Sequence, residues 1–185
     1  MKKFYVFVLV FLSGCATPKA PMQYDFGAAA QHSTTCTPLE IAVRAENPWA
    51  SSEIHYRLWQ DSKALYAYTQ SLWGKEPPLL LKDAILQRYY EKCSGLPSKV
   101  VLQVEIVEFS HIFENQHKSY GQVVVDAFLQ AGQENHSRRF AARAASLTPD
   151  APGGVSALHE ASLLLADDIL LWLRQQSKEN AAVRF

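Results

Sequence analysis

The chain carries no excess of either charge: 18 Lys and Arg stand against 18 Asp and Glu in 185 residues. Nucleic-acid phosphates are held by a basic excess on some face, so the composition gives no electrostatic footprint for DNA or RNA, and no nucleic-acid partner is expected. Glycine is sparse, at eight residues. None of it builds a Gly-rich loop ending in Gly-Lys-Ser/Thr or a Gly-x-Ser-x-Gly elbow, so the signatures of phosphate cradling and of one large hydrolase class are missing. The six histidines, at 32, 55, 111, 117, 136 and 159, form no His-x-x-x-His or His-Glu-x-x-His pair. Metal-ligand spacing is therefore lacking, and neither a metal nor another cofactor is expected. Cysteine occurs three times, an odd count that a pure disulfide scaffold does not use. What is present, 48% apolar and 11% aromatic residues with only 19% charged, suits one folded domain rather than a disordered chain.

The first fifteen residues account for one cysteine. Met1-Lys2-Lys3 is a short basic start, and Phe4 to Leu12 is an apolar run of nine residues. As a helix it would be about 14 Å long, roughly half a bilayer core, so it reads as an export signal and not as a membrane span. Leu12-Ser13-Gly14-Cys15 resembles the lipobox of bacterial lipoproteins, whose cysteine thiol receives a diacylglycerol before the signal is removed ahead of it. That resemblance implies a signal peptide over 1–14, a lipid on Cys15, and a tether up to residue 23. Two or three acyl chains anchor stably where one does not. Ala16 follows, rather than the Asp that resembles an inner-membrane retention signal, which implies the outer membrane of a Gram-negative cell, facing the periplasm. Loss of Lys2 and Lys3 leaves 16 basic against 18 acidic residues, a mildly acidic mature chain.

The body alternates between strand and helix periodicities. Tyr24 to Phe26 predicts a short first strand, the polar stretch from Ala28 to Thr37 a loop, and Leu39 to Arg44 a half-buried strand. Glu53 to Trp59 alternates again, placing Ile54, Tyr56 and Leu58 on one face and His55, Arg57 and Trp59 on the other. Asp61-Ser62-Lys63 has turn chemistry and leads into a partner strand over Ala64 to Tyr68. Pro77-Pro78 starts a helix of about fourteen residues with Leu81, Ile85 and Tyr89 on one face, stopped by Gly95 and Pro97. Val100 to Phe109 and Gln122 to Leu129 form a hairpin, and His136 to Ala144 a weaker strand. Gly153-Gly154 precedes a last helix whose core stripe is Val155, Leu158, Ser162, Leu165, Ile169 and Trp172. His159-Glu160 and Asp167-Asp168 read as its solvated face, and 177–185 as a frayed tail. The result is a single α+β domain over 24–176, an antiparallel or mixed sheet with two main helices packed on one side.

The segment Leu65 to Pro78, with Tyr66, Tyr68, Ser71, Trp73 and Pro77-Pro78, resembles the Tyr…Ser-x-Trp…Pro-Pro signature of the ABC-type transport auxiliary lipoproteins, the family of the PqiC-like outer-membrane lipoproteins. Tyr24 to Phe26, Ile54 to Arg57, Val107 to Phe113, Gly153-Gly154-Val155 and Leu171-Trp172-Leu173 continue the resemblance in order. The series covers nearly all of the mature chain. It departs at Asp25-Phe26-Gly27 and at Gly74-Lys75. The resemblance implies a non-enzymatic accessory lipoprotein that works with an MCE-domain protein and an inner-membrane transport component in moving lipid between membranes. A homo-oligomeric collar is a form such an adaptor could take.

The candidate partner interface is Arg57, Tyr66, Tyr68 and Trp73. The aromatics either grip a partner or fill the gap between sheet and helix, and Arg57 either meets an acidic partner or lipid headgroup or sits on a solvated strand edge. Cys36 and Cys93 are a candidate disulfide in an oxidising periplasm, or else two free thiols. No residue stands out as catalytic. The competing functions are a general envelope-assembly lipoprotein without a transporter and, less favoured, a periplasmic hydrolase.

Overall fold

The computed structural model describes residues 20–27, 39–92, 100–131 and 134–182. The export segment, Cys15, the loop over 28–37, Cys36, Cys93, Gly95 and Pro97 lie outside the described residues.

Seven strands and two helices follow in the order β1 (Met22–Tyr24), β2 (Glu40–Ala45), β3 (Glu53–Leu58), β4 (Asp61–Trp73), α1 (Pro77–Lys92), β5 (Val100–Phe113), β6 (Ser119–Ala131), β7 (Glu134–Ala145) and α2 (Ala151–Ala182). All strands join one mixed sheet in the order β1-β4-β3-β5-β6-β7, and β2 pairs with β5 as well. β5 is long enough to serve two neighbours on one edge, β2 along Val101 to Ile106 and β3 at His111 and Ile112, both parallel. The α+β domain with a mixed sheet is as the periodicity predicts.

One sheet face is apolar because the strands alternate. Leu102, Val104, Ile106 and Phe109 of β5 lie beside Val123, Val125, Ala127 and Leu129 of β6 and Phe140 and Ala142 of β7, all buried. α2 covers this face with its predicted stripe, in which Leu158, Ser162, Leu165 and Ile169 are fully buried. Each such Leu or Ile contributes about 1.5–3 kcal/mol on leaving water. α1 lies beside α2 and presents Leu81, Ile85 and Tyr89 inward, and Lys92 Nζ holds Asp167 Oδ1 across the pair at 2.7 Å.

The structure corrects several sequence expectations. The β3–β4 hairpin closes through Trp59-Gln60, with Leu58 opposite Asp61, so Asp61-Ser62-Lys63 already belongs to β4. β4 continues to Trp73, because β1 pairs with Ser71, Leu72 and Trp73 and keeps that end in the sheet. Register shifts between Glu53 and His55 break the expected two-faced pattern of β3, and Ile54 and His55 are both buried, with Trp49 edge-on to the His55 ring at 5.5 Å. Gly153 and Gly154 stand inside the first turn of α2, not ahead of it. Asp150 caps that turn, its Oδ1 accepting from Gly153 N at 2.9 Å. The backbone of α2 runs on to Ala182, so the helix reaches into the stretch expected to fray. His159 is half-buried and its ring stacks on Phe26 at 4.6 Å, while Asp167 is drawn into ion pairs with α1; only Glu160 and Asp168 stay on a solvated face.

Two glycines set the distance of α2 from the sheet. A Cβ on Gly121 would stand 2.5 Å from the Ala157 carbonyl carbon and the Leu158 nitrogen, and one on Gly154 would stand 2.5 Å from His111 Nδ1. Helix backbone cannot give way as a side-chain tip can. Gly121→Ala is therefore expected to cost about 1–3 kcal/mol through overpacking, read as a lower urea midpoint. Gly74→Ala, whose Cβ would meet Tyr24 O at an ordinary 3.5 Å, should change the stability by less than about 0.5 kcal/mol and so barely move that midpoint. Equal effects at the two positions would refute the close-packing account.

Candidate functional site

β3, the first half of β4 and the last third of β5 project their ends together. Parallel pairing sets Tyr56 opposite His111 and Arg57 opposite Ile112. A bulge between Ile106 and Glu108 resets the alternation of β5, and Glu108 comes to lie on the same side as Arg57. Arg57 then grips Glu108 through two parallel bonds, Nε to Oε1 and Nη2 to Oε2, each 3.1 Å. Its Nη1 donates to the carbonyls of Ser62 at 3.5 Å and Lys63 at 3.3 Å, and Ser110 Oγ donates to Glu108 Oε1. Arg57 is thus a strap that ties the start of β4 and the end of β5 to β3. Its donors are occupied, which leaves little for an acidic partner or a lipid headgroup.

The opposite side of the same strands holds an aromatic cluster. Tyr56 and Tyr66 are a cross-strand pair with rings stacked at 5.4 Å; Tyr68 lies 4.6 Å and Phe113 6.0 Å from the Tyr56 ring. Tyr66 is the outermost, at 38% exposure, and Tyr68 is half-buried with its hydroxyl 2.9 Å from His111 Nδ1. Trp73 does not belong to this surface. It is 3% exposed and packs edge-on against Phe26 at 5.8 Å and Phe109 at 5.9 Å. Of the four residues predicted to form an interface, the structure therefore brings Arg57, Tyr66 and Tyr68 to one end of the sheet and puts Trp73 in the core. Tyr56, Glu108, His111 and Phe113 complete the arrangement and were not singled out by sequence reasoning. The adjacent apolar pair Ile106-Val107, which interrupts the alternation, is the one sequence signal for the bulge.

His111 is fully buried, and burial pushes its imidazole down to about 4. Burial also holds the Tyr68 hydroxyl protonated far above its ordinary range, with Tyr56 and Asp150 adding in the same direction. Tyr68 accordingly donates to a neutral His111 Nδ1, and the imidazole proton is assigned to Nε2, which is buried without a hydrogen-bond partner among the described residues. This is a packed, neutral pair and not a proton shuttle open to a substrate. His55 and His159 are also held below their ordinary range, chiefly by burial. Among the described residues no group of three His, Cys, Asp or Glu side chains is placed to hold a metal ion, and no helix is long and apolar enough to cross a membrane.

Because the folded His111 titrates near 4 and the unfolded one near 6.5, the unfolded chain takes up a proton that the fold refuses across that window. Stability present above pH 6.5 should therefore fall as pH drops toward 4, by about 3 kcal/mol from this residue alone. Urea midpoints at pH 7 and pH 4.5 should differ less in His111→Phe than in the unaltered chain. An unchanged difference would assign the acid sensitivity to other groups.

The fold, a seven-stranded mixed sheet with two helices on one face, has counterparts among solved structures. A DUF330 protein of Xanthomonas campestris superposes with a TM-score of 0.68 at 16% identity, over 85% of this chain and 99% of that one. An uncharacterized protein superposes at 0.64 with 13% identity, over 86% and 100%. At such identities the likeness is one of fold. No family model matches the sequence, and no curated protein matches it.

Proposed function

We propose that the protein is an outer-membrane-anchored accessory lipoprotein of an intermembrane lipid transport system, a docking or adaptor element held to the membrane through a lipid on Cys15. Its partners in this reading are an MCE-domain protein and an inner-membrane transport component. The observation that carries the reading is the direct passage from lipobox to fold: only seven residue steps separate Cys15 from Met22, where β1 joins the sheet edge. An extended chain of that length spans about 23 Å, so the domain is held close to its anchor.

The chemistry available is that of binding. Beyond the three residues that pair with β1, the outer edge of β4 has no strand partner among the described residues. Such an edge offers unpaired backbone groups to an incoming extended segment. Carriage of lipid by the domain itself has less support. A depression of about 360 Å³ is near the lower end of the roughly 300–1,000 Å³ of small-ligand sites, and Gln103, Gln130, Asn135, His136 and Ser137 help line it. A general envelope-assembly role without a transporter is the alternative, and a neighbouring gene for an MCE-domain or permease protein separates the two.

A photocrosslinker at Thr69, exposed on β4, should recover an MCE-domain protein from intact envelopes. Cys15→Ala should abolish envelope function, scored as detergent sensitivity, while circular dichroism shows the domain still folded. Full function of that variant at native abundance would sink the anchored adaptor.

A further inference from the structure

Three connections meet at one end of the sheet. The Trp59-Gln60 turn lies beside the Glu114 to Lys118 turn, because β3 and β5 run parallel with Arg57 opposite Ile112. Ala145 at the end of β7 pairs with Tyr120, which brings the Ser146 to Asp150 link to the same end. Two of these connections present apolar side chains to water. Trp59 is 37% exposed, whereas the other three tryptophans, 49, 73 and 172, are at 8% or less; Leu147 is 92% exposed, the highest value for a large apolar side chain among the described residues. From β3 to β7 is three strand spacings, so Trp59 and Leu147 stand on the order of 14 Å apart across the end.

The path of the chain says what covers this end. β1 runs parallel to β4, with Met22 opposite Ser71 and Tyr24 opposite Trp73, so the chain enters β1 from the direction of the Trp59 turn. From Glu53, paired with Leu72, to Leu58, paired with Asp61, is five residue steps of β3, about 17 Å. The roughly 23 Å reach from Met22 back to Cys15 is enough to bring the anchor level with that turn.

We propose that this end of the domain sits in the headgroup region of the bilayer that holds the Cys15 lipid, with Trp59 and Leu147 as its two contact points. The proposal rests on the anchored reading above and adds an orientation to it. Tryptophan favours the membrane interface, where its ring is apolar and its N–H remains wet. Charge plays no part: Asp61, Glu114 and Asp150 stand against Lys63 and Lys118, so the end has nothing to gain from anionic lipid. Two contacts each too weak to bind alone suffice once the lipid keeps them within reach of the surface. The Arg57 strap on the Ser62 and Lys63 carbonyls keeps the hairpin tip rigid, so two seated points fix the tilt of the sheet.

The test uses the mature, lipidated chain in zwitterionic phosphatidylcholine vesicles whose acyl chains carry bromine near the headgroup. Bromine quenches tryptophan only at contact range, so nearness on a tether is not enough. The chain should float with the vesicles, its exposed tryptophan emission should shift to the blue and be quenched, and Trp59→Phe should remove the quenchable part. Leu147→Asp should reduce the quenching. If the chain floats while Trp59 stays open to aqueous acrylamide and untouched by bromolipid, the seating is overturned and the anchor stands. If it does not float, the anchor fails and the seating falls with it. Crosslinks from position 59 to a protein, without bromolipid quenching, overturn the proposal in favour of a protein interface.

Discussion

The close approach of α2 to β6 governs the rest of the domain. Gly121 lies under the backbone between Ala157 and Leu158, at a distance that no side chain at position 121 would permit. With the helix seated this low, Leu158, Leu165 and Ile169 reach the sheet and are removed from water entirely. The same seating presses the first turn of α2, at Gly154, onto the His111 ring. His111 is thereby kept neutral, and its Nδ1 is available to the Tyr68 hydroxyl, which fastens β4 to the middle of the sheet. A short helix-to-sheet distance thus propagates through one ring to a strand that α2 does not cover.

The hairpin end depends on a second local event, the bulge after Ile106. By inserting one residue it puts Glu108 on the side of Arg57 while Phe109 and His111 stay on the core side. The bidentate pair and the two carbonyls it also holds keep the tip of β3–β4 in a single arrangement. Paired in this way, Arg57 supports the surface more than it forms one, and Tyr66, Trp59 and Leu147 are among the large apolar side chains left exposed.

Much of the fold was legible because it follows from periodicity. The alternation of Leu102, Val104 and Ile106 and the stripe from Val155 to Trp172 each mark one buried face, and each is buried as the spacing requires, up to the bulge after Ile106. The errors have local physical causes. Gly153-Gly154 reads as a break ahead of the helix, since glycine is disfavoured in helix interiors, yet both lie in the first turn, where Gly154 makes room for His111. Asp61-Ser62-Lys63 has the side chains of a turn, but the pairing of Leu58 with Asp61 closes the hairpin two residues earlier. Of the candidate site, Tyr66, Tyr68 and Trp73 read alike in the sequence, as a partner-gripping surface or as filling between sheet and helix; Tyr66 is exposed and Tyr68 half-buried, whereas Trp73 is buried because Phe26, just after β1, and Phe109 pack on its ring.

By itself the sequence determined the class of domain, one α+β unit with a helix-covered sheet, because apolar periodicity is a property of neighbouring residues and survives without any knowledge of partners. It also carried the lipobox resemblance, which is a matter of contiguous residues. Only the tertiary structure decided which side chains meet: that Arg57 is taken by Glu108 from 51 positions away, that His111 lies between Tyr68 and Gly154, and that Trp59 and Leu147 share one end of the sheet. Those meetings depend on strand order, register and a single bulge, and each of these is set by contacts between segments far apart in the chain.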